Sequence, residues 1–128
     1  MERRHVPTAS NLGTRVGYSR AVRVGDNVYV AGTAPIMPDD ADPPPDAYGQ
    51  ARRCLEIAVA ALAELDARPE DVVRTRVYLT SADHFEGAAR AHGEVFADVR
   101  PASAMVVVAA LIDPRWLVEI ELDAFVAR

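Results

Sequence analysis

The feature that most restricts the fold of this chain is an amphipathic helical stretch at its centre. Apolar residues recur there at spacings of three or four, which is the period of a helix with one buried face: Ala47, Ala51, Leu55, Ala58, Leu62 and Leu65. Asp46 precedes this stripe and is a residue type favoured at an N-cap. The spacing predicts a helix from Asp46 to about Asp66, which needs a second layer of structure to cover its apolar face.

Two segments near the N-terminus have the two-residue period of a sheet with one buried face. Val16 to Val24 and Val28 to Gly32 alternate apolar with polar residues. Between them, Gly25-Asp26-Asn27 supplies residues that tolerate a positive φ. These segments predict a β-hairpin.

Strand and helix patterns alternate again after Pro69. Val72 to Thr80 is predicted to be a strand, and a second helix is predicted from about Asp83 to Val99, with Ser81 or Asp83 as its cap. The buried stripe expected for this helix comprises Phe85, Ala89, His92, Phe96 and Val99.

The last two strands are predicted at Ala104 to Leu111 and Leu117 to Val126, with a turn around Asp113-Pro114-Arg115 between them. Met105 to Ala110 is apolar without alternation. Such a run is typical of a strand that is buried on both faces.

The resulting order, β-β-α-β-α-β-β, predicts an α+β fold in which a mixed sheet carries both helices on one face. With 128 residues the chain can bury one core, so residues 1–128 are interpreted as a single domain. The other face of the sheet, including Arg76, Tyr78 and part of the apolar Met105 to Ala110 run, would then be bare. Because each large apolar side chain left in water forfeits roughly 1.5 to 3 kcal/mol, we expect the chain to self-associate.

Composition argues against several kinds of partner. The net charge of -5 disfavours a nucleic-acid-binding surface. His5, His84 and His92 are too dispersed for a metal site, so we expect neither a metal nor a cofactor. Cys54 lies in the apolar-periodic helix and is interpreted as a buried structural thiol. We find no signal peptide or membrane span, and expect a cytoplasmic protein.

Five stretches of the chain together resemble the RidA/YjgF (reactive intermediate deaminase) family over nearly its whole length. They are VGYSRAVRVGDNVYVAGTAP (16–35), QARRCLEIAVAAL (50–62), DVVRTRVYLTSADHFEGAARAHGEVF (71–96), RPASAMVVVAAL (100–111) and LVEIELDAF (117–125). The resemblance implies a chorismate mutase-like fold, assembly as a homotrimer, and small-molecule sites in the clefts between subunits.

The chain departs from the deaminating members of that family at two positions. Where those members have an arginine that holds the substrate carboxylate, this chain has Ser103, after Arg100-Pro101-Ala102. An asparagine that some members contribute from the second helix corresponds to Ala89. Since serine carries no charge, hydrolysis of 2-aminoacrylate-type imines is not expected to proceed as in those members.

Other positions of the family's site are retained. The resemblance assigns Glu119 to the acid that orients or activates water, Tyr18 to the tyrosine over the cleft, and Gly32 to the backbone that lines it. The alternative for Glu119 is a polar residue on the wet face of an alternating strand, as for Glu121. A carboxylate could act as a general base if burial raises its pKa.

Four more residues carry a functional and a structural interpretation. Arg76 points away from the helices and could replace the missing cation, or form an ion pair with an acid such as Glu121. Trp116 could shape the mouth of a cleft or simply pack. His92 is interpreted as a hydrogen-bonded core or interface histidine, and Ser103 as a substrate contact rather than a nucleophile.

The leading hypothesis is a trimer that binds a small imine, enamine or carbonyl metabolite between subunits and hydrolyses it with water activated by Glu119. The alternative is a non-catalytic metabolite-binding or chaperone-like trimer. Endoribonuclease activity, which some relatives carry by name, is a third hypothesis that the acidic charge balance disfavours.

Overall fold

A computed structural model describes residues 2–127 as a mixed sheet with its helices on one face. Its six strands are β1 Arg3–Val6, β2 Ala21–Val24, β3 Asn27–Thr33, β4 Val72–Leu79, β5 Ala102–Val107 and β6 Val118–Phe125. They lie in the order β1-β2-β3-β6-β4-β5, with β4 and β5 parallel and the other neighbours antiparallel. The predicted mixed α+β sheet is therefore confirmed.

The helices are α1 Leu12–Val16, α2 Ala47–Glu64 and α3 Phe85–Phe96. The carboxylate of Asp46 accepts a 2.8 Å hydrogen bond from the Gly49 N–H, as the predicted N-cap should. The whole apolar stripe of α2 is buried against β3, β6 and α3. The central helix is thus confirmed in its position, its cap and its buried face.

The hairpin between β2 and β3 is tighter than predicted. Val24 pairs with Asn27, so the loop is Gly25-Asp26 alone and Asn27 belongs to β3. Gly25 has a φ of 60°, a conformation that glycine adopts without steric cost.

The predicted strand from Val16 to Val24 is wrong in its first half. Leu12–Val16 is a helical turn that ends at Gly17, whose φ of 91° starts a bend, and the strand begins only at Ala21. The strand β1, which pairs with β2, was not predicted because its four residues, RRHV, do not alternate.

The predicted buried stripe of α3 is displaced around the helix. Phe85, its first residue, is 48% exposed, whereas Ala88, Ala91 and Phe96 are buried. The reason is close contact between helices, since a Cβ added at Gly87 would lie 2.8 Å from the Tyr48 backbone nitrogen. Small residues of α3 therefore face α2, and the large aromatic ring of Phe85 lies on the exposed side of α3.

The prediction that Met105 to Ala110 is buried on both faces is also wrong for the single chain. The strand β5 ends at Val107 and lies at the edge of the sheet, where it pairs with β4 alone among the described strands. Val106 and Val107 are 46% and 56% exposed. An apolar edge of this kind is a surface that another chain can cover.

The face of the sheet opposite α2 and α3, here called the open face, is polar along its centre. Glu119, Glu121 and Asp123 of β6 point to this face, and Arg76 and Tyr78 of β4 lie beside them. Their neighbours Val118, Ile120, Leu122 and Ala124 are buried under the helices. Both helices pack on the other face, as predicted.

Gln50 is the buried polar side chain that ties α2 to the two loops at one end of the sheet. Its amide nitrogen donates 3.0 Å hydrogen bonds to the carbonyls of Pro44 and Arg115. Its amide oxygen accepts a 2.7 Å bond from the Leu117 N–H. Gln50 therefore positions Leu117, the residue that precedes β6, and Glu119 follows two residues after Leu117.

We expect Gln50→Leu to lower the free energy of unfolding by about 3 kcal/mol, because it leaves three part-buried backbone groups without their partner and removes the buried amide that bonds them. Urea denaturation with an unchanged slope would measure this loss. Ala63→Leu, on the exposed side of the same helix, is the control and should change stability by less than about 0.5 kcal/mol. Equal effects of the two substitutions would contradict the role given to Gln50.

Candidate functional site

The side chain at the centre of the open face is the half-buried Glu119. In β6 it lies opposite Tyr78 of β4, and its carboxylate is seated over Gly32 of β3. A Cβ at position 32 would collide with Glu119 Oε2, so glycine is the residue that admits the carboxylate there. The β3 register shifts between Val30 and Thr33, which is the irregularity that brings Gly32 to this position.

The environment of Glu119 raises the pKa of its carboxyl group. Burial is the largest cause, and the nearby charge of Glu121 adds to it, whereas the positive charge of Arg20 opposes it. A carboxyl group with a raised pKa is a better proton acceptor near neutral pH than an ordinary one. This half-buried environment differs from that of a solvent-exposed polar residue on an alternating strand.

Arg20 belongs to this site although sequence reasoning did not select it. Its guanidinium donates from Nη2 to the Gly32 carbonyl, and its Nε is buried without a hydrogen-bond partner in the described chain. Burial lowers its pKa, which the charges of Tyr18 and Glu119 oppose. No signal near Arg20 in the sequence indicates this burial, because it depends on the pairing of β1 with β2 and on the β3 bulge.

Tyr18 lies in the bend before β2, at the rim of the open face. It lines a hollow of about 460 Å³ together with Tyr29, Glu121 and Asp123. Tyr18 and Glu119 both interact electrostatically with Arg20. The structure therefore brings Tyr18, Gly32 and Glu119 into one neighbourhood.

Arg76 reaches the open face as predicted, but acids already surround it. Its Nη1 lies 3.3 Å from Asp123 Oδ2 and 3.8 Å from Glu121 Oε1. Tyr78 donates a hydrogen bond to Glu121, and this bond is the main cause that raises the Tyr78 pKa to about 12. The ion-pair interpretation of Arg76 therefore describes its contacts in the single chain.

Ser103 lies on the opposite side of the sheet from Glu119. Its hydroxyl accepts a 2.7 Å hydrogen bond from Thr75 Oγ1, and Thr75 Oγ1 is 2.8 Å from His92 Nε2 of α3. These contacts put Ser103 on the face that the helices occupy, at the β5 edge. One chain therefore does not bring Ser103 and Glu119 together.

His92 and Trp116 have structural contacts in the single chain. Burial lowers the His92 pKa, and its ring lies 4.8 Å from that of Phe96, which agrees with a hydrogen-bonded core histidine. The sequence indicated no histidine partner for Ser103. In the structure His92 is connected to Ser103 through the hydroxyl of Thr75. Trp116 lies in the turn before β6, where its backbone N–H donates a 3.0 Å hydrogen bond to the Asp113 carbonyl.

Cys54 is buried in α2, where its Sγ lies 3.6 Å from the Val118 carbonyl oxygen. Burial raises the pKa of this thiol, so it stays protonated and unreactive. Residues 2–127 contain no group of three His, Cys, Asp or Glu side chains arranged to hold a metal ion. None of the helices in the same range is both long and apolar enough to cross a bilayer.

The fold and the open acidic face define an α+β protein of the YjgF type. A crystal structure of a YjgF-family member from Mycobacterium tuberculosis superposes with a TM-score of 0.89 at 41% identity, over 98% of this chain and 100% of that one. A Streptomyces coelicolor protein of uncharacterized function is 38% identical over 95% of this chain and 91% of its own length. A RutC family protein from Pyrococcus abyssi is 34% identical over 84% and 85%.

The family model for endoribonuclease L-PSP proteins matches residues 8–126. The chain belongs to this family, the RidA/YjgF family that its sequence resembles. Membership is thereby confirmed.

The raised pKa of Glu119 has a consequence for stability. A carboxyl group with a higher pKa in the folded than in the unfolded state stabilises the fold at low pH, and this contribution is lost as pH rises through the folded pKa. We therefore expect the stability of Glu119→Gln relative to the native protein to increase from acid to neutral pH. Denaturation at a series of pH values above and below 4.5, the ordinary pKa of the group, measures this difference.

The control is Glu70→Gln, because the side chain of Glu70 is exposed. Its stability should follow that of the native protein across the same pH range. If Glu119→Gln also followed the native profile, the burial that raises the Glu119 pKa would have no thermodynamic effect, and the prediction would be wrong.

Proposed function

We propose that this protein is a homotrimer that binds a small imine, enamine or carbonyl metabolite in clefts between its subunits and hydrolyses it with water activated by Glu119. The observation that carries the proposal is the half-buried Glu119 carboxylate, seated over Gly32 on a face that neither large helix covers. In this proposal Tyr18, which lines the adjoining hollow with Glu121 and Asp123, forms the aromatic wall of this half of the site.

The separation of Ser103 from Glu119 supports a site built from two copies. These residues lie on opposite sides of the sheet, so a ligand that contacts both must lie between subunits. Tyr29, Phe125 and Val106 are 46–48% exposed, which is an apolar surface that a second copy would bury. The proposal that the assembly has three subunits comes from the family resemblance.

The proposed reaction needs one proton acceptor and a water molecule. Glu119 takes a proton from water as the water oxygen bonds to the imine carbon. Protons return to the nitrogen as the carbon–nitrogen bond breaks. The products are a carbonyl compound and ammonia. Because Ser103 has no charge, recognition of the substrate differs from that of relatives with an arginine at this position.

The name of the family model raises RNA cleavage as another activity. The centre of the open face carries three acids, Glu119, Glu121 and Asp123, and two of them already pair with Arg76. A phosphate backbone is attracted to clustered cations rather than to such a surface. We therefore propose a small-molecule substrate, and expect test RNA to remain intact.

We expect light scattering to give a particle of three times the 13.9 kDa chain mass at micromolar concentration. Tyr29→Glu places a charge on the open face opposite Asp123, and should shift the particle toward the monomer. Val16→Glu, on the exposed helical turn α1, is the matched control and should remain trimeric. A stable monomer of the native protein at that dilution would remove the proposed site.

We expect the native protein to accelerate ammonia and 2-oxo acid release when imines are generated in the same mixture by an amino-acid oxidase. Glu119→Gln should lose about 100-fold or more of that acceleration, the usual contribution of a general base. Glu70→Gln should retain it. No acceleration by the native protein would refute the hydrolase, and tight metabolite binding that survives Glu119→Ala would favour the non-catalytic alternative.

A further inference from the structure

A second concave site lies within one chain, away from the open face. It is a cleft of about 710 Å³ between the N-terminal segment, the loop after β3 and the exposed side of α2. This volume is in the range of small-molecule sites, which run from roughly 300 to 1,000 Å³. The cleft and the hollow on the open face share Tyr18, and Glu119 lines neither of them.

Arg20 is the cation in the wall of this cleft that has unused binding capacity. Its one side-chain hydrogen bond within residues 2–127 runs from Nη2 to the Gly32 carbonyl, and no acid there lies within ion-pair distance. Its Nε is buried and unpaired. The Gly32 carbonyl and the more distant charge of Glu119 leave other donors of this half-buried guanidinium without an acceptor in the described chain, and an anion that reaches them would form charge-assisted hydrogen bonds.

Arg53, the other arginine in the cleft, differs from Arg20 because it is already engaged. Its Nε donates 2.8 Å to the Ile36 carbonyl, and its Nη1 lies 3.7 Å from Glu56 Oε2. Arg53 therefore shapes the loop wall of the cleft. Its charge is balanced by Glu56, which leaves Arg20 as the attraction for a ligand anion.

The remaining walls determine what the rest of the ligand must be. Ile36, Met37, Ile57 and Ala60 present apolar surface from the loop and from α2. Asp39 and Glu64 are exposed at the boundary of the cleft and repel a second negative charge, whereas Glu56 is paired with Arg53 and Asp40 with Arg115. A ligand with one anionic group and an apolar tail fits both conditions.

We propose that this cleft binds a small monocarboxylate with an apolar tail, whose carboxylate is held by Arg20 and whose tail lies along Ile36 and Ile57. The site goes beyond the proposed hydrolase, because a single chain builds it. Its occupancy depends neither on trimer formation nor on turnover by Glu119.

The test compares three six-carbon probes of different charge by amide NMR titration of the native protein. Hexanoate should shift the amide signals of Ala34, Ile36, Met37 and residues 57–60, with hexanamide and the dianion adipate each binding about tenfold or more weakly. If hexanamide or adipate bound as tightly as hexanoate, or if the shifts mapped elsewhere, the proposal would be overturned.

Arg20→Gln should weaken hexanoate binding about tenfold and leave hexanamide unchanged, since it removes charge recognition alone. Arg52→Gln, which removes an exposed arginine of α2 outside the cleft, is the matched control and should bind like the native protein. Ile57→Trp fills the cleft from the helix surface and should abolish binding even if Arg20→Gln does not fold. Unchanged hexanoate affinity in Ile57→Trp would rule out this cleft.

Discussion

The alternation of side chains along β6 is the constraint on which both the core and the candidate site depend. Val118, Ile120, Leu122 and Ala124 are buried under α2, and the two-residue period of a strand then forces Glu119, Glu121 and Asp123 onto the other face. Since β6 lies between β3 and β4, its acids are at the centre of the sheet. The same packing that stabilises the fold therefore concentrates negative charge on the open face.

The three acids have different surroundings, and this difference gives Glu119 its chemistry. Glu121 is hydrogen-bonded to Tyr78 and near Arg76, and Asp123 is paired with Arg76. Glu119 is half-buried over Gly32 and has no ion pair in the described chain, so burial raises its pKa. Neighbouring carboxylates on one strand thus divide into two that are paired and one that is suited to accept a proton.

Local patterns predicted the elements whose packing follows from their own sequence. The stripe and cap of α2 are of this kind, whereas β1 and the buried side of α3 depend on contacts with distant residues. The residues of the candidate site divide in the same way, into those that the sequence identified and those that depend on contacts with distant residues. Family resemblance identified Glu119, but the side on which Ser103 lies follows from its pairing with Thr75 in a strand that begins two residues earlier than predicted.

Arg20 shows why this part of the site could not be found from the sequence, and it also connects the two concave sites. Its side chain lines the cleft beside α2 while its charge favours the ionised form of Glu119. An anion held by Arg20 would balance that charge and so raise the Glu119 pKa further. One arginine, half-buried by long-range strand pairing, would thereby couple the protonation of Glu119 to occupancy of the proposed cleft site.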